Sequence, residues 1–131
     1  MSQSLGGLDR SFLAGDTVSA YHVMQVPTAT ANTVIPWQTT TAAIVGVTQE
    51  AVDSGSAVTV RLLGTTKCIA ANSIVSGTIL MPQTATGLVL TATTAQITAA
   101  ARHIVGISLE AGDTNSVIEV LLQPTFIGNI T

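Results

Sequence analysis

One stretch of this chain occurs twice. Ile44-Val45-Gly46-Val47-Thr48-Gln49-Glu50-Ala51-Val52-Asp53 returns 60 residues later as Ile104-Val105-Gly106-Ile107-Ser108-Leu109-Glu110-Ala111-Gly112-Asp113. The offset holds without a gap through Ser56 and Ser116, Val58 and Ile118, Val60 and Val120, and Leu62 and Leu122. Nine positions in 44–63 and 104–123 are identical: Ile44, Val45, Gly46, Glu50, Ala51, Asp53, Ser56, Val60 and Leu62. Average residue frequencies would give roughly one or two. A repeat of this kind means that one supersecondary unit is built twice.

Each copy has the same grammar. A short β-branched run carries a glycine at its centre, Gly46 or Gly106, where a bulge or a close backbone approach is expected. A turn follows, Asp53-Ser54-Gly55 or Asp113-Thr114-Asn115, of residues that tolerate positive φ or bond their own backbone. A second run then alternates, with Val58, Val60 and Leu62 on one face against Thr59 and Arg61, and Ile118, Val120 and Leu122 against Glu119 and Leu121. Period-two alternation marks a half-buried strand. The two strands of each copy pair either directly or through a wider loop. Upstream, Val18-Ser19-Ala20-Tyr21-His22-Val23-Met24 echoes Val75-Ser76-Gly77-Thr78-Ile79-Leu80-Met81 at an offset of 57.

The pattern predicts an all-β fold, a small β-sandwich or partly open β-barrel. A single β-domain spans 15–124, with pseudo-repeats at about 15–65 and 70–123. Residues 1–14 lie outside the repeat as an extended N-terminal arm, and 125–131 form a C-terminal tail. Thr/Ala-rich stretches read as loops, and Thr94–Arg102 has the makings of a helical turn, although Thr94 and Thr98 disfavour a long one. Pro27, Pro36, Pro82 and Pro124 fall near expected strand ends, where a missing N–H costs least.

Composition narrows the function. Only 8% of residues are charged, against about 25% in an average soluble protein, and mean hydropathy is +0.55. Surface polarity then comes from Thr, Ser, Gln and Asn, or another protein covers part of the surface. Arg10, Arg61, Lys67 and Arg102 are too few and too scattered for a phosphate-neutralising stripe, which excludes direct nucleic-acid binding. No apolar run approaches the roughly 18 residues that span a bilayer. The N-terminus lacks the basic and apolar regions of a signal peptide, so synthesis in a cytosol-like compartment is expected. Asn129-Ile130-Thr131 matches a glycosylation sequon that such a compartment would not use.

Candidate chemistry is sparse. His22 and His103 have no carboxylate or second His at metal-ligand spacing, and no metal or other cofactor is expected. His22 reads as a strand surface residue, and His103 as solvent-facing. Cys68 follows Lys67, which lowers a thiol pKa where the two are close, but with no His nearby it reads as a small strand residue. Glu50, Glu110, Asp53 and Asp113 are the repeated charges, and they invite a paired-carboxylate reading. Flanking a turn, however, they serve as capping and solvated groups, short of the six to eight oxygens of a calcium site. Neither Gly6-Gly7 nor Gly64-Thr65-Thr66-Lys67 has phosphate-loop spacing. Trp37, the sole Trp, reads as a strand-end plug of the barrel or sandwich. No catalytic residues are assigned.

The run 104–113, closed by Ile118-Glu119-Val120-Leu121-Leu122, resembles the C-terminal signature of tailed-phage head decoration (capsid cement) proteins. In that family a Gly-[Ile/Val]-[Ala/Ser]-Leu-Glu-Ala strand and an [Ile/Val]-x-Val-Leu-Leu strand close a small β-domain. Ala14-Gly15-Asp16-Thr17-Val18 and Val58-Thr59-Val60-Arg61-Leu62-Leu63-Gly64 fit the same pattern, so the resemblance covers about 14–123. It implies a non-enzymatic virion protein, made in the host cytoplasm and placed on the outer capsid surface. There it would bridge neighbouring major capsid protein subunits, commonly as a homotrimer, with no nucleic acid or membrane as partner. The apolar residues of the arm, Leu5, Leu8 and Phe12, are the expected capsid contacts. The alternatives are a phage tail, fibre or baseplate β-module, and a small ligand-binding β-barrel.

Overall fold

A chain written twice in period-two strands buries its inward residues by curling its sheet, and the computed structural model shows how. It describes residues 7–27, 30–38, 42–83, 86–92 and 102–127. Nine strands form one sheet: β1 (Gly7–Ala14), β2 (Val23–Gln25), β3 (Thr33–Pro36), β4 (Gly46–Thr48), β5 (Ala57–Ile69), β6 (Ile79–Pro82), β7 (Val89–Thr91), β8 (Arg102–Ser108) and β9 (Val117–Ile127). Their order is β1-β3-β2-β4-β5-β9-β8-β6-β7, and an additional β1–β5 pairing closes the first five into a ring. The second half repeats that path as β5-β9-β8-β6-β7. A parallel bridge from Ala70 to Val89 brings β7 back to the end of β5. The expected all-β fold is therefore two curled five-strand units that share their longest strand.

Both predicted strand pairs form directly: β4 with β5, and β8 with β9, each antiparallel. The central glycines do what their position requires. A Cβ on Gly46 would lie 2.1 Å from the Arg61 carbonyl oxygen, and one on Gly106 would lie 1.9 Å from that of Leu121. Close backbone approach selects glycine here. Pro124, unlike the other three prolines, sits inside a strand. It lies at the register shift between Ile104 and Gly106, where an irregular ladder removes the need for its N–H.

The upstream echo is real, but its register differs from the sequence match by one. Val18 exchanges backbone bonds with Val52 at 2.9 and 3.0 Å, and Ile74, not Val75, makes the same exchange with Gly112 at 2.7 and 3.0 Å. Ile74 is buried, as Val18 is, whereas Val75 is 70% exposed. The offset is thus 56. In a strand, a one-residue slip moves every side chain to the other face.

The arm is where structure and expectation part. Residues 7–14 are strand β1, running antiparallel to β5 from Gly7–Gly64 to Leu13–Ala57 and parallel to β3. The second half of β5 takes the same place in the second unit, pairing with β9 from Gly64–Leu122 to Ile69–Val117. Residues 7–14 thus stand in the first unit where 64–70 stand in the second. The two cores match residue by residue. Phe12, Ala14, Val18, Met24, Val34, Val58 and Val60 fill the first unit. Their counterparts Cys68, Ala70, Ile74, Leu80, Val89, Ile118 and Val120 lie in the second. Ile replaces Val at 74 and 118, adding methyl groups where Cys68 stands for the larger Phe12. The helical turn anticipated at Thr94–Arg102 falls outside the described residues except for Arg102, which opens β8.

Candidate functional surface

The titratable groups are dispersed. Among the described residues, no group of three His, Cys, Asp or Glu side chains is placed to hold a metal ion. Cys68 is fully buried, and burial pushes its thiol up to about 12. A group held neutral in an apolar core is not a nucleophile at neutral pH. His103 is half-buried rather than solvent-facing. Its ring meets the Trp37 indole edge-on, centroids 6.4 Å apart, and burial lowers its pKa from the usual 6.5. Trp37, just after β3, is buried in the cluster that holds the second unit's core rather than plugging its own ring, with its indole N–H donated to the Ala42 carbonyl at 2.9 Å. His22 is held at Nδ1, 2.9 Å from the Ala20 carbonyl.

The repeated acids are turn furniture. Ser56 donates its N–H to the Asp53 carbonyl at 3.1 Å, and Ser116 does so to Asp113 at 2.9 Å. Gly55 and Asn115 take the same left-handed place with φ of 90° and 69°. The Glu50 carboxylate accepts the Thr59 N–H at 3.3 Å. Every bond here serves the backbone of the hairpin, and the carboxylates do not converge. Arg61 is committed to structure as well: it pairs with Asp9 across β1 and β5 and donates Nη1–H to the Thr65 carbonyl at 2.6 Å. No helix among the described residues is long and apolar enough to cross a membrane.

What the surface does offer is apolar. Leu8 and Leu63 are partners across β1 and β5 and are 57% and 52% exposed. Two neighbouring leucines held outward on paired strands form a compact apolar spot on the first unit. Of the expected contact residues, Leu8 lies in this spot and Leu5 lies outside the described residues. Phe12 points the other way: it is buried in the first core, with the Arg10 guanidinium 4.7 Å from its ring centroid. Strict alternation along β1 would put Leu8 on the face of Phe12 and Ala14; the register shift between Leu8 and Asp9 breaks it, so Leu8 is exposed while Phe12 and Ala14 are buried. Leu63 was not among the expected contacts. Its signal was present, since Val58, Val60 and Leu62 point inward and so turn Leu63 outward.

Comparisons bear on the fold. No protein-family model matches the chain, and no curated protein matches it. Among solved structures it is similar to the N base of the head fiber gp8.5 of bacteriophage phi29. The TM-score is 0.69 at 15% sequence identity, over 95% of this chain and 98% of that one. At that TM-score and coverage, the two chains share a fold.

Proposed function

We propose that this chain is a structural virion protein that binds the outer surface of a phage capsid, as a homotrimer, and stabilises it by bridging neighbouring major capsid protein subunits. The observation that carries the proposal is the fold match to the base of a phage head fiber. The charge-poor surface supports it, because interface cores are depleted in charge. So does the outward Leu8–Leu63 pair, an apolar spot of the kind a partner covers. Leu5 and Leu8 would supply capsid contacts, with Leu63 beside them, and Phe12 would hold β1 in place from beneath. Many copies on one shell would add avidity to weak single contacts. No chemistry is required of a protein that resists internal pressure by holding capsomers together.

The test is electron microscopy of undecorated heads mixed with the purified protein, together with the temperature at which those heads release DNA. Density over the junctions between capsomers and a higher release temperature are expected, and Leu8→Asp with Leu63→Asp should abolish both. Heads that stay bare at saturating protein would overturn the proposal. The same fold match favours a second reading, in which the domain is the base of a projecting head fibre. Under that reading heads acquire density without any gain in stability.

A further inference from the structure

The two units share one plan, so the residues that the first presents on its outer face are a control for the second. One row across the strands of the first unit is Val23, Val47, Arg61 and Asp9. Val23 and Val47 are 0% exposed, buried in the cluster that holds the second core, and Arg61 pairs with Asp9. The next row is Gln49, Thr59 and Ser11, joined by the Gln49 N–H to the Thr59 carbonyl and by the β1–β5 register. In these two rows, whatever the first unit leaves to solvent is polar.

The second unit puts apolar residues in the same places. Its first row is Ile79, Ile107, Leu121 and Thr65, so Leu stands for Arg61 and Thr for Asp9. In its second row Leu109 stands for Gln49, beside Glu119 and Lys67. A third row is apolar in both units, as Leu13 and Ala57 in the first and Ile69 and Val117 in the second. Ile79, Leu109 and Val117 are 40%, 45% and 46% exposed, with Ile107 and Leu121 half-buried among them. A contiguous apolar surface over four strands, in rows where the same fold is otherwise polar, marks a face that a partner covers.

Charge says which partner. Among the described residues the ion pair is Arg61–Asp9, and Lys67, Glu110 and Glu119 are left without one although they border a common hollow. By strand order Lys67 on β5 stands at one side of the face, Glu110 just past β8 stands toward the other, and Glu119 on β9 lies between. A face with a cation at one side, an anion toward the other and an apolar middle is complementary to a rotated copy of itself.

We infer that the outer face of the second unit is the surface on which copies of this chain join, the β5 side of one copy meeting the β8 and β6 side of the next. Lys67 of each copy then faces Glu110 of its neighbour, and Ile79, Ile107, Leu109 and Leu121 are buried around the common axis. The contact is heterologous, so it is satisfied in every copy only when the ring closes. The inference rests on the proposed function for the number of copies, three, and does not depend on capsid binding.

Mass in solution tests it without any capsid. The wild-type chain of 13.3 kDa should run in light scattering as a closed oligomer of three. Leu121→Arg with Thr65→Asp and Leu109→Gln gives the second unit the polar residues that the first already carries in those places. That variant should keep the wild-type circular dichroism spectrum and run as a monomer. Should it not fold, the charges decide. Lys67→Glu, an exposed change, should raise the concentration of half-dissociation by roughly tenfold or more, and adding Glu110→Lys should bring it back to the wild-type value. Leu8→Asp with Leu63→Asp should lose head binding and keep the mass of three, which separates failure of this face from failure of the capsid reading. A wild type of any other mass, a trimer indifferent to the triple change or to Lys67→Glu, or a Lys67→Glu defect that Glu110→Lys does not repair would overturn the inference. A monomeric wild type whose decoration of heads is lost in the triple variant would overturn it too, by giving this face to the shell.

Discussion

Thr48 and Ser108 carry a hydroxyl into the same buried position of the two units and make the same bonds there. Thr48 donates to the Ser19 carbonyl at 2.6 Å and accepts the His22 N–H at 3.0 Å. Ser108 donates to the Val75 carbonyl at 2.8 Å and accepts the Thr78 N–H at 3.0 Å. Each hydroxyl pins the turn before β2 or β6 to β4 or β8. Both residues are essentially inaccessible, so each hydroxyl finds its partners in the protein rather than in solvent. Thr48→Val keeps the shape but orphans a donor and an acceptor, a loss of about 1–3 kcal/mol, and Ser108→Ala should cost a similar amount. Thr48→Ser should be much milder. Urea denaturation midpoints check the three variants, and a Thr48→Val protein as stable as wild type would show that the hydroxyl is not what holds the turn.

Gly46 and Gly106 set the approach of β4 to β5 and of β8 to β9, and Gly55 and Asn115 set the hairpin turns. The two pairs predict opposite tolerance. Alanine at 46 or 106 places a methyl group within about 2 Å of a carbonyl oxygen on the neighbouring strand, and backbone cannot retreat as a flexible side chain does. Either substitution should cost at least the 1–3 kcal/mol typical of overpacking, by about that much in denaturation free energy. Gly55 meets nothing within 4 Å, and only its φ constrains it. Gly55→Asn, which copies the residue at 115, should therefore change stability by a few tenths of a kcal/mol, while Gly55→Val at the same φ should be clearly destabilising.

The parts of this fold legible in the sequence are those where both copies kept the same residue types. The Gly46 and Gly106 runs, the Asp turns and the alternating strands after them all repeat visibly, and all form as expected. β1 was not legible because its counterpart shares almost nothing with it. Phe12 stands opposite Cys68 and Arg10 opposite Thr66, and in the second unit the equivalent strand is fused into β5 with no turn to announce it. The upstream register slipped by one because Val75 resembles Val18 more closely than Ile74 does, although only Ile74 is buried. Surface residues follow the same logic. Leu8 was visible as an unexplained apolar residue, whereas the burial of Val23 against the exposure of its counterpart Ile79 depends on how the second unit packs on the first, and local pattern carries no trace of that.

Cys68 gives a chemical probe of the second core. Its thiol is buried and pushed up to about 12 by desolvation, so at pH 8 it is both inaccessible and protonated. Native protein should not react with a thiol reagent such as Ellman's on the timescale of minutes. In guanidinium one thiol per chain should react at once, since the sequence holds a single cysteine. Ile74→Ala, which opens the packing of the same cluster, should speed native-state labelling through more frequent opening of that unit. Immediate labelling of the folded wild type would show that the core around Cys68 is not closed.

His103 ties stability to pH through its contact with Trp37. Burial lowers its pKa in the folded protein below the ordinary 6.5, so between the two values the unfolded chain binds more protons than the folded one. Stability then rises with pH across that window. The contribution of a neutral His103 is fully present above about 6.5, is lost as pH falls below it, and stops changing once the folded-state pKa is passed. Thermal midpoints of wild type and His103→Gln should run nearly parallel from pH 8 to 7 and converge or cross on acidification, with the wild type falling faster. The single indole reports the same event from the inside. Trp37 stands against the imidazole ring, so its fluorescence should change with the folded-state titration of His103 and should be flat in His103→Gln over that range. A wild type whose midpoint falls no faster than that of His103→Gln between pH 7 and 5 would show that protonating this ring costs the fold nothing.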